Sequence, residues 1–239
     1  MAKGKVEPPA QIKTLAVDIG GSGIKALILD GSGKPLTTRG RVATPKPATP
    51  KAVLDVIAGL AKAKGPFDRV SVGFPGVVRN GVTVTAPNLD QAWQGYKLAA
   101  SLKRLLRKPV RVANDADVQG FGAITGRGVE VVMTLGTGMG SALFVDGRLV
   151  PNLELAHHPF RKGMTYEEQL GNIALKKAGK DKWNSRLGKA IQALDALFNY
   201  DVLYIGGGNT KHIAIPLPSN VKIVPNVAGL LGGIFLWRE

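Results

Sequence analysis

Apolar residues fall into two kinds of run along the chain. Short β-rich runs alternate with longer stretches in which leucine, isoleucine and alanine recur every three or four residues. The first kind predicts strands at Leu15–Asp18, Ile24–Leu29, Leu36–Val42 and Arg69–Gly73. The second predicts a helix over Lys51–Lys64, after the proline-rich loop TPKPATP, and another over Tyr96–Arg107, where Leu98, Leu102, Leu105 and Leu106 recur at helical spacing. Val110–Ala113 reads as a buried strand that delivers Asn114 and Asp115 at its end. The alternation then starts again, with strands around Val131–Leu135 and Ala142–Val145, helices near Tyr166–Ala178 and Arg186–Phe198, a strand at Val202–Ile205 and a last helix over Val227–Leu236. The expected class is α/β.

One segment of this pattern occurs twice. DIGGSGIKALILDG at 18–31 aligns without a gap on TLGTGMGSALFVDG at 134–147, matching Gly20, Ala26, Leu27, Asp30 and Gly31 to Gly136, Ala142, Leu143, Asp146 and Gly147. Each copy reads as a strand, a glycine loop, a second strand and an Asp-Gly turn. Glycines without Cβ let a phosphate approach the backbone N–H groups closely. A glycine turn between strands is also an ordinary hairpin, so the inference rests on the pair. Neither copy matches the dinucleotide fingerprint or the GxxxxGK[ST] loop. Two lobes are expected, 1–113 with the first loop and 114–239 with the second, the last helix packing back on the first lobe. A phosphoryl donor would lie between them.

Composition narrows the setting. With 239 residues and 44% hydrophobic content the chain can bury a sizeable core. It has no cysteine, which excludes disulfides and thiolate metal sites and is compatible with a reducing cytoplasm. MAKGKVEPPAQ lacks the apolar segment of a secretory signal, and the longest apolar stretch, Val227–Trp237, is too short to span a bilayer. A cytoplasmic protein without membrane partners is expected. The formal charge of +15 favours anionic partners. Basic residues crowd Lys103–Arg111 and again Arg161–Lys189, the second stretch holding Lys176, Lys177, Lys180 and Lys182. Such a surface can also serve solubility alone. No nucleic-acid reader motif accompanies it, so nucleic acid is not expected as a partner.

The ordered motifs DIGGSGIK, GFPGVV, APNLDQAW, NDAD, LGTGMGSA, ELAHH and IGGGN resemble the ROK family of sugar kinases, within the actin/hexokinase-like (ribonuclease H-like) superfamily, over nearly the whole chain. TAPNLDQAWQG and HHPFRKGMTYEEQLG are most similar to the polyphosphate-using glucokinases of that family. The resemblance implies phosphorylation of glucose at its 6-hydroxyl, with inorganic polyphosphate or ATP as donor, Mg²⁺ with the donor, and a homodimer. Alternatives are an ATP-dependent glucokinase, another hexose kinase, or a non-catalytic sugar-binding relative. Repressors of the family carry an N-terminal helix-turn-helix, and only about fourteen residues precede the first strand here. A regulator of that kind is not expected.

Residue roles follow from the resemblance, beside plainer readings. Asp115, at a strand end, matches the general base; an aspartate there also caps helices well. Asp18 matches the carboxylate beside the metal, usually through water, which suits Mg²⁺; its plainer reading is a strand-end carboxylate that bonds the N–H groups of the loop that follows. Gly20, Gly21, Ser22 and Gly23, with Lys25, form the first phosphate segment, and Gly136, Thr137, Gly138 and Gly140 the second. Gly206, Gly207 and Gly208 match a segment that backs onto adenosine in ATP-using relatives, or simply allow tight strand-to-helix packing. Gly76, Asn88, Asn114, Glu154 and His157 match sugar contacts, as does Glu167, in a register shared with Glu168. Asp117 reads as a helix-start charge. Family members carry structural zinc bound by cysteines; with none here and ELAH in place of the usual glycine-containing motif, no structural zinc is expected, and RKGMTYEE must hold itself by packing and hydrogen bonds.

Overall fold

The computed structural model describes residues 12–87, 89–224 and 228–237. Its first half comprises Thr14–Ile19 (β1), Ile24–Leu29 (β2), Gly40–Val42 (β3), Pro50–Lys64 (α1), Arg69–Phe74 (β4), a small hairpin of Val78–Arg79 (β5) and Val82–Thr83 (β6), Leu98–Leu106 (α2) and Val110–Asn114 (β7). There follow Asp115–Phe121 (α3), Val129–Leu135 (β8), Met139–Val145 (β9), Arg148–Val150 (β10), a hairpin of Pro159–Arg161 (β11) and Met164–Thr165 (β12), Tyr166–Leu170 (α4), Asn172–Ala178 (α5), Lys180–Phe198 (α6), Val202–Gly206 (β13), Val221–Ile223 (β14) and Ala228–Leu231 (α7). No helix among the described residues is long and apolar enough to cross a membrane.

Two five-stranded sheets carry the fold, in orders β3-β2-β1-β4-β7 and β10-β9-β8-β13-β14. They share one plan: an antiparallel three-strand meander whose first strand pairs in parallel with a fourth strand, which in turn pairs in parallel with the fifth. The repeated hairpin is the seed of each sheet. Its two copies differ, however, by one residue in the turn. Ile19 pairs with Ile24 around 20–23, whereas Leu135 pairs with Met139 around 136–138. Ile24 therefore corresponds in space to Met139, not to Gly140, and the ungapped alignment gives way beyond the loop. A one-residue shift exchanges the faces of a strand, and the burial of Ile24 and Met139 follows the spatial match.

Each sheet has its own core. On the first, α1 lays Val53, Ile57, Leu60 and Ala61 against β1, β2 and β4. Pro50 opens this helix in its first turn, where its missing N–H costs nothing, and Thr49 accepts from the Ala52 N–H at 3.3 Å as N-cap. On the second, α6 buries Trp183, Leu187, Ile191 and Leu194, the indole N–H of Trp183 donating to Leu170 O at 2.8 Å. The C-terminal segment returns to the first sheet: Leu230 and Ile234 pack on Ala16, Leu27 and Leu29. Trp237 donates to Ser71 Oγ at 2.8 Å and lies under the guanidinium groups of Arg69 and Arg111.

Several elements depart from the sequence pattern for local reasons. The strand expected over Leu36–Val42 is confined to Gly40–Val42, because Thr37 Oγ1, not a backbone carbonyl, takes the Ile28 N–H at 2.9 Å. The helix expected over Tyr166–Ala178 is two helices broken at the extended Gly171, and Asn172 N–H turns to the carbonyls of Gly136 and Thr137. The next helix starts at Lys180, six residues earlier than expected. Of the last helix, Val227 lies outside the described residues, only Ala228–Leu231 is α-helical, and Gly232–Trp237 tightens to 3₁₀. Gly232 lies so close to Val118 O that a Cβ would be 1.7 Å from it. RKGMTYEE forms the β11–β12 hairpin, with Thr165 and Glu168 in a reciprocal capping box.

Candidate active site

The parallel strands of both sheets end at one cleft of about 540 Å³. Strand ends are where open α/β sheets leave backbone groups and loops free for ligands. β7 runs directly into α3, and Asn114 resolves the competition for capping that helix. Its Oδ1 accepts from Ala116 N–H at 2.7 Å and Asp117 N–H at 3.3 Å. Asp115 is thereby left as the first helical residue, its Oδ1 also accepting from Ala116 N–H at 2.8 Å, and it lines the cleft. Burial first, and the facing charge of Asp18 second, push its carboxyl up to about 7. A carboxylate with that proton affinity can accept a proton from a hydroxyl near neutral pH.

Around Asp115 stand the groups matched to a sugar. Asn114 Nδ2 donates to Gly76 O at 3.2 Å and Glu154 Oε1 at 3.3 Å, tying three of them together. A Cβ on Gly76 would lie 2.1 Å from Thr85 O, so this loop tolerates only glycine without moving. His157 Nε2 is 3.6 Å from Glu154 Oε2. Burial raises the Glu154 carboxyl, an effect its histidine neighbour opposes. Asn88 lies outside the described residues.

The residues that the resemblance matches to phosphate come from both sheets. Asp18 and Lys25 are cross-strand partners on β1 and β2, joined at 2.8 Å, and line the cleft with Gly20, Gly21 and Ser22. Gly23 does not line it: that glycine packs on the Arg41 guanidinium, which a Cβ would approach to 2.7 Å. Opposite are Gly136, Thr137, Gly138 and Gly140. Glu167, the nearer of the two glutamates, accepts from Met139 N–H at 2.9 Å and crosses Gly138 so closely that a Cβ would meet its Oε2 at 2.1 Å. Glu168 is instead the capping-box residue. Gly207 and Gly208 line the cleft, Gly207 at φ +93° against Leu135 O. Gly206 packs on the buried Gln119 amide.

Asp117 is not the solvated charge the helix start predicts. It is 2% exposed, and among the described residues Oδ1 has no hydrogen-bond partner and Oδ2 accepts from Asn152 N–H alone, at 3.5 Å. Burial pushes its carboxyl up to about 7. Arg39, Gln119, Asn209 and Lys211 also line the cleft, and none was singled out in the sequence. Asn209 had a signal, its place directly after the glycine run; its Nδ2 donates to Gly136 O at 3.0 Å and joins β13 to the second loop. Arg39 carried none, lying in a stretch read as plain strand. Lys176, Lys177, Lys180 and Lys182 are exposed on α5 and α6, and none lines the cleft. Among the described residues no three His, Asp or Glu side chains form a group that could hold a metal ion.

Duplicated meander sheets meeting at a cleft, with a carboxylate at a strand end between two glycine loops, are the architecture of the actin/hexokinase-like sugar kinases. The chain belongs to the ROK family, whose model matches residues 14–152. It is 34% identical over 233 residues to the polyphosphate glucokinase of Mycobacterium tuberculosis, covering 90% of this chain and 88% of the relative. It superposes on the inorganic polyphosphate/ATP-glucomannokinase of Arthrobacter sp. strain KM with a TM-score of 0.85 and 34% identity, covering 94% of this chain and 97% of the other. A ROK family glucokinase from Streptomyces griseus, solved with glucose and AMPPNP, shares the fold at a TM-score of 0.76 and 20% identity, over 94% and 98% of the two chains.

Proposed function

We propose that the protein is a glucokinase that transfers the terminal phosphoryl group of inorganic polyphosphate, and also of ATP, to the 6-hydroxyl of glucose. The observation that carries this reading is the Asp115 carboxylate, with its proton affinity raised to about 7, in a cleft whose other walls are the two glycine loops. The similarity to polyphosphate-using relatives over nine-tenths of the chain supports the donor.

In this reading Asp115 takes the proton of the sugar hydroxyl as its oxygen attacks phosphorus, and the bond from phosphorus to the donor's bridging oxygen breaks. Asn114, Gly76, Glu154, His157, Glu167 and Asn88 orient the sugar. The backbone N–H groups of Gly20, Gly21, Ser22, Gly136, Thr137, Gly138 and Gly140 hold the phosphates, assisted by Lys25. Gly23 and Gly206 support the loops from behind. Gly207 and Gly208 adjoin the far end of the donor.

The donor set fits Mg²⁺. Asp18 Oδ1 carries no hydrogen bond among the described residues, and one carboxylate with water and phosphate oxygens meets that ion's preference. When bound, Mg²⁺ would neutralise charge on the transferred phosphoryl group; Asp18 would hold it. Without a cysteine the chain has no thiolate to hold a structural zinc of the family's kind. The family resemblance supports a homodimer, and the lack of cysteine is compatible with the cytoplasm. The test is glucose phosphorylation with polyphosphate and ATP side by side. Glucose 6-phosphate from polyphosphate is the expected result, and none from either donor would overturn the reading.

A further inference from the structure

Resting on that reading, we infer that Arg39 and Lys211 form a distal phosphate clamp: a subsite for phosphates beyond the one transferred, which favours a linear polyanion over a nucleotide. Among the described residues three cationic side chains other than histidine line the cleft, Lys25, Arg39 and Lys211. Lys25 is already paired with Asp18 at 2.8 Å. Among the described residues the side chains of Arg39 and Lys211 make no hydrogen bond or ion pair, and both are exposed to the cleft's solvent. They come from segments that adjoin the two different sheets. Arg39 precedes β3, two residues from Arg41, whose Nη2 donates to Ser22 O at 3.2 Å behind the first loop. Lys211 lies in the short turn Thr210–His212 that follows the glycines after β13.

The acids of the cleft explain where these two cations can act. Asn114 holds Glu154 at the end marked by Asp115, Glu167 is engaged by Met139 N–H, and Asp18 by Lys25. Among the described residues no acid forms an ion pair with Arg39 or Lys211. A phosphate chain that leaves the glycine loops carries a negative charge on every unit and gains from each unpaired cation it passes. ATP bears only three phosphates and then an uncharged nucleoside. Beside Gly207 and Gly208 that nucleoside would meet the ammonium of Lys211, whose dehydration it cannot repay with charge. A guanidinium and an ammonium suit phosphate differently, the first as a planar fork and the second as a mobile point charge.

Arg39→Ala, Lys211→Ala and the double variant test this against long-chain polyphosphate, tripolyphosphate and ATP. Both side chains are exposed, and unchanged thermal unfolding and glucose binding verify the fold. For each single variant the KM for long-chain polyphosphate should rise about two- to fivefold, the scale of one solvent-exposed ion pair. The KM for ATP should move less. The salt dependence should flatten by about 0.7 to 0.9 in log–log slope per cation removed, by analogy with polyanionic nucleic acids. Lys211→Arg should keep the polyphosphate KM near that of the unmodified protein. An equal rise for both donors, or an unchanged polyphosphate KM and salt slope, overturns the clamp. Direct binding of long-chain polyphosphate to the non-turning-over protein separates the two inferences. If the unmodified protein phosphorylates glucose with neither donor, the proposed function fails, yet weaker polyphosphate binding by the double variant still supports the clamp, and equal binding overturns it.

Discussion

Asp18 and Lys25 face each other across β1 and β2 as register partners, Nζ to Oδ2 at 2.8 Å, and the Asp18 charge in turn raises the proton affinity of Asp115. The pair thus sets part of the electrostatic field at the cleft's central carboxylate. Asp18→Asn removes a negative charge facing Asp115, so the acidic limb of the kcat/KM profile should shift to lower pH, while the maximal rate should fall if Asp18 holds the metal as proposed. Lys25→Met leaves Asp18 uncompensated and should shift the limb to higher pH. Rate profiles from pH 5 to 9, a window around the value expected for Asp115, test the opposed directions. Shifts of the same sign in both variants would contradict this coupling.

For the unmodified enzyme, kcat/KM should rise with pH about a midpoint near 7, since Asp115 must be ionised to accept a proton. Asp115→Asn should keep glucose binding and lose at least about 10²-fold in turnover, the lower end of general-base contributions. Single-turnover kinetics with a correctly folded variant decide this. Near-normal turnover would remove Asp115 from the role.

Asp117 makes a prediction about stability. Its folded-state proton affinity is raised to about 7 by burial, from an ordinary 3.8. Between those values the folded chain holds a proton that the unfolded chain has released, so this group's contribution to stability falls as pH rises through the window and is constant above it. Asp117→Asn cannot ionise. Its stability relative to the unmodified protein should therefore increase from pH 4 to pH 7, by at most about 1.4 kcal/mol per pH unit. Urea unfolding at several pH values measures it, and a pH-independent difference would show that Asp117 is ionised throughout.

The exposed cluster Lys176, Lys177, Lys180 and Lys182 is separate from the cleft, so only a chain long enough to leave the cleft can reach it. Neutralising all four should weaken use of long-chain polyphosphate and leave tripolyphosphate and ATP within about twofold, because exposed charges act weakly beyond a Debye length of ~8 Å. Michaelis constants against chain length provide the comparison. Equal loss with all donors would assign the cluster to folding or to the sugar.

Gly76→Ala should impair sugar binding more than folding. The added methyl would lie 2.1 Å from a backbone oxygen, Thr85 O, and cannot be relieved by turning a side chain. The loop must shift, at about 1–3 kcal/mol for overpacking, and Asn114 loses its Gly76 carbonyl partner. A raised KM for glucose with little change in the KM for polyphosphate is the expected pattern in steady-state assays.

Local pattern alone determined much of this protein. The runs Ile24–Leu29 and Val110–Ala113, the helical spacing of α1, and the doubled glycine hairpin all depend on contacts within a few residues, which periodicity records. The resemblance of the short motifs then pointed to Asp115, Asn114 and Glu154; the fold joins Glu154 to Asn114 through Asn114 Nδ2, and all three line one cleft. Tertiary structure decided what depends on distant partners. It set the turn after β8 one residue shorter than its twin, so the gapless alignment misplaced the faces of β9. It broke the helix at Gly171 because Asn172 N–H is claimed by the loop at 136–137. It buried Asp117, a charge that helix-start chemistry places in water, and brought Arg39 and Lys211 to one cleft from 172 residues apart in the chain. Burial and proximity are properties of the packed whole; a residue's neighbours in sequence carry no record of which distant atoms displace its water.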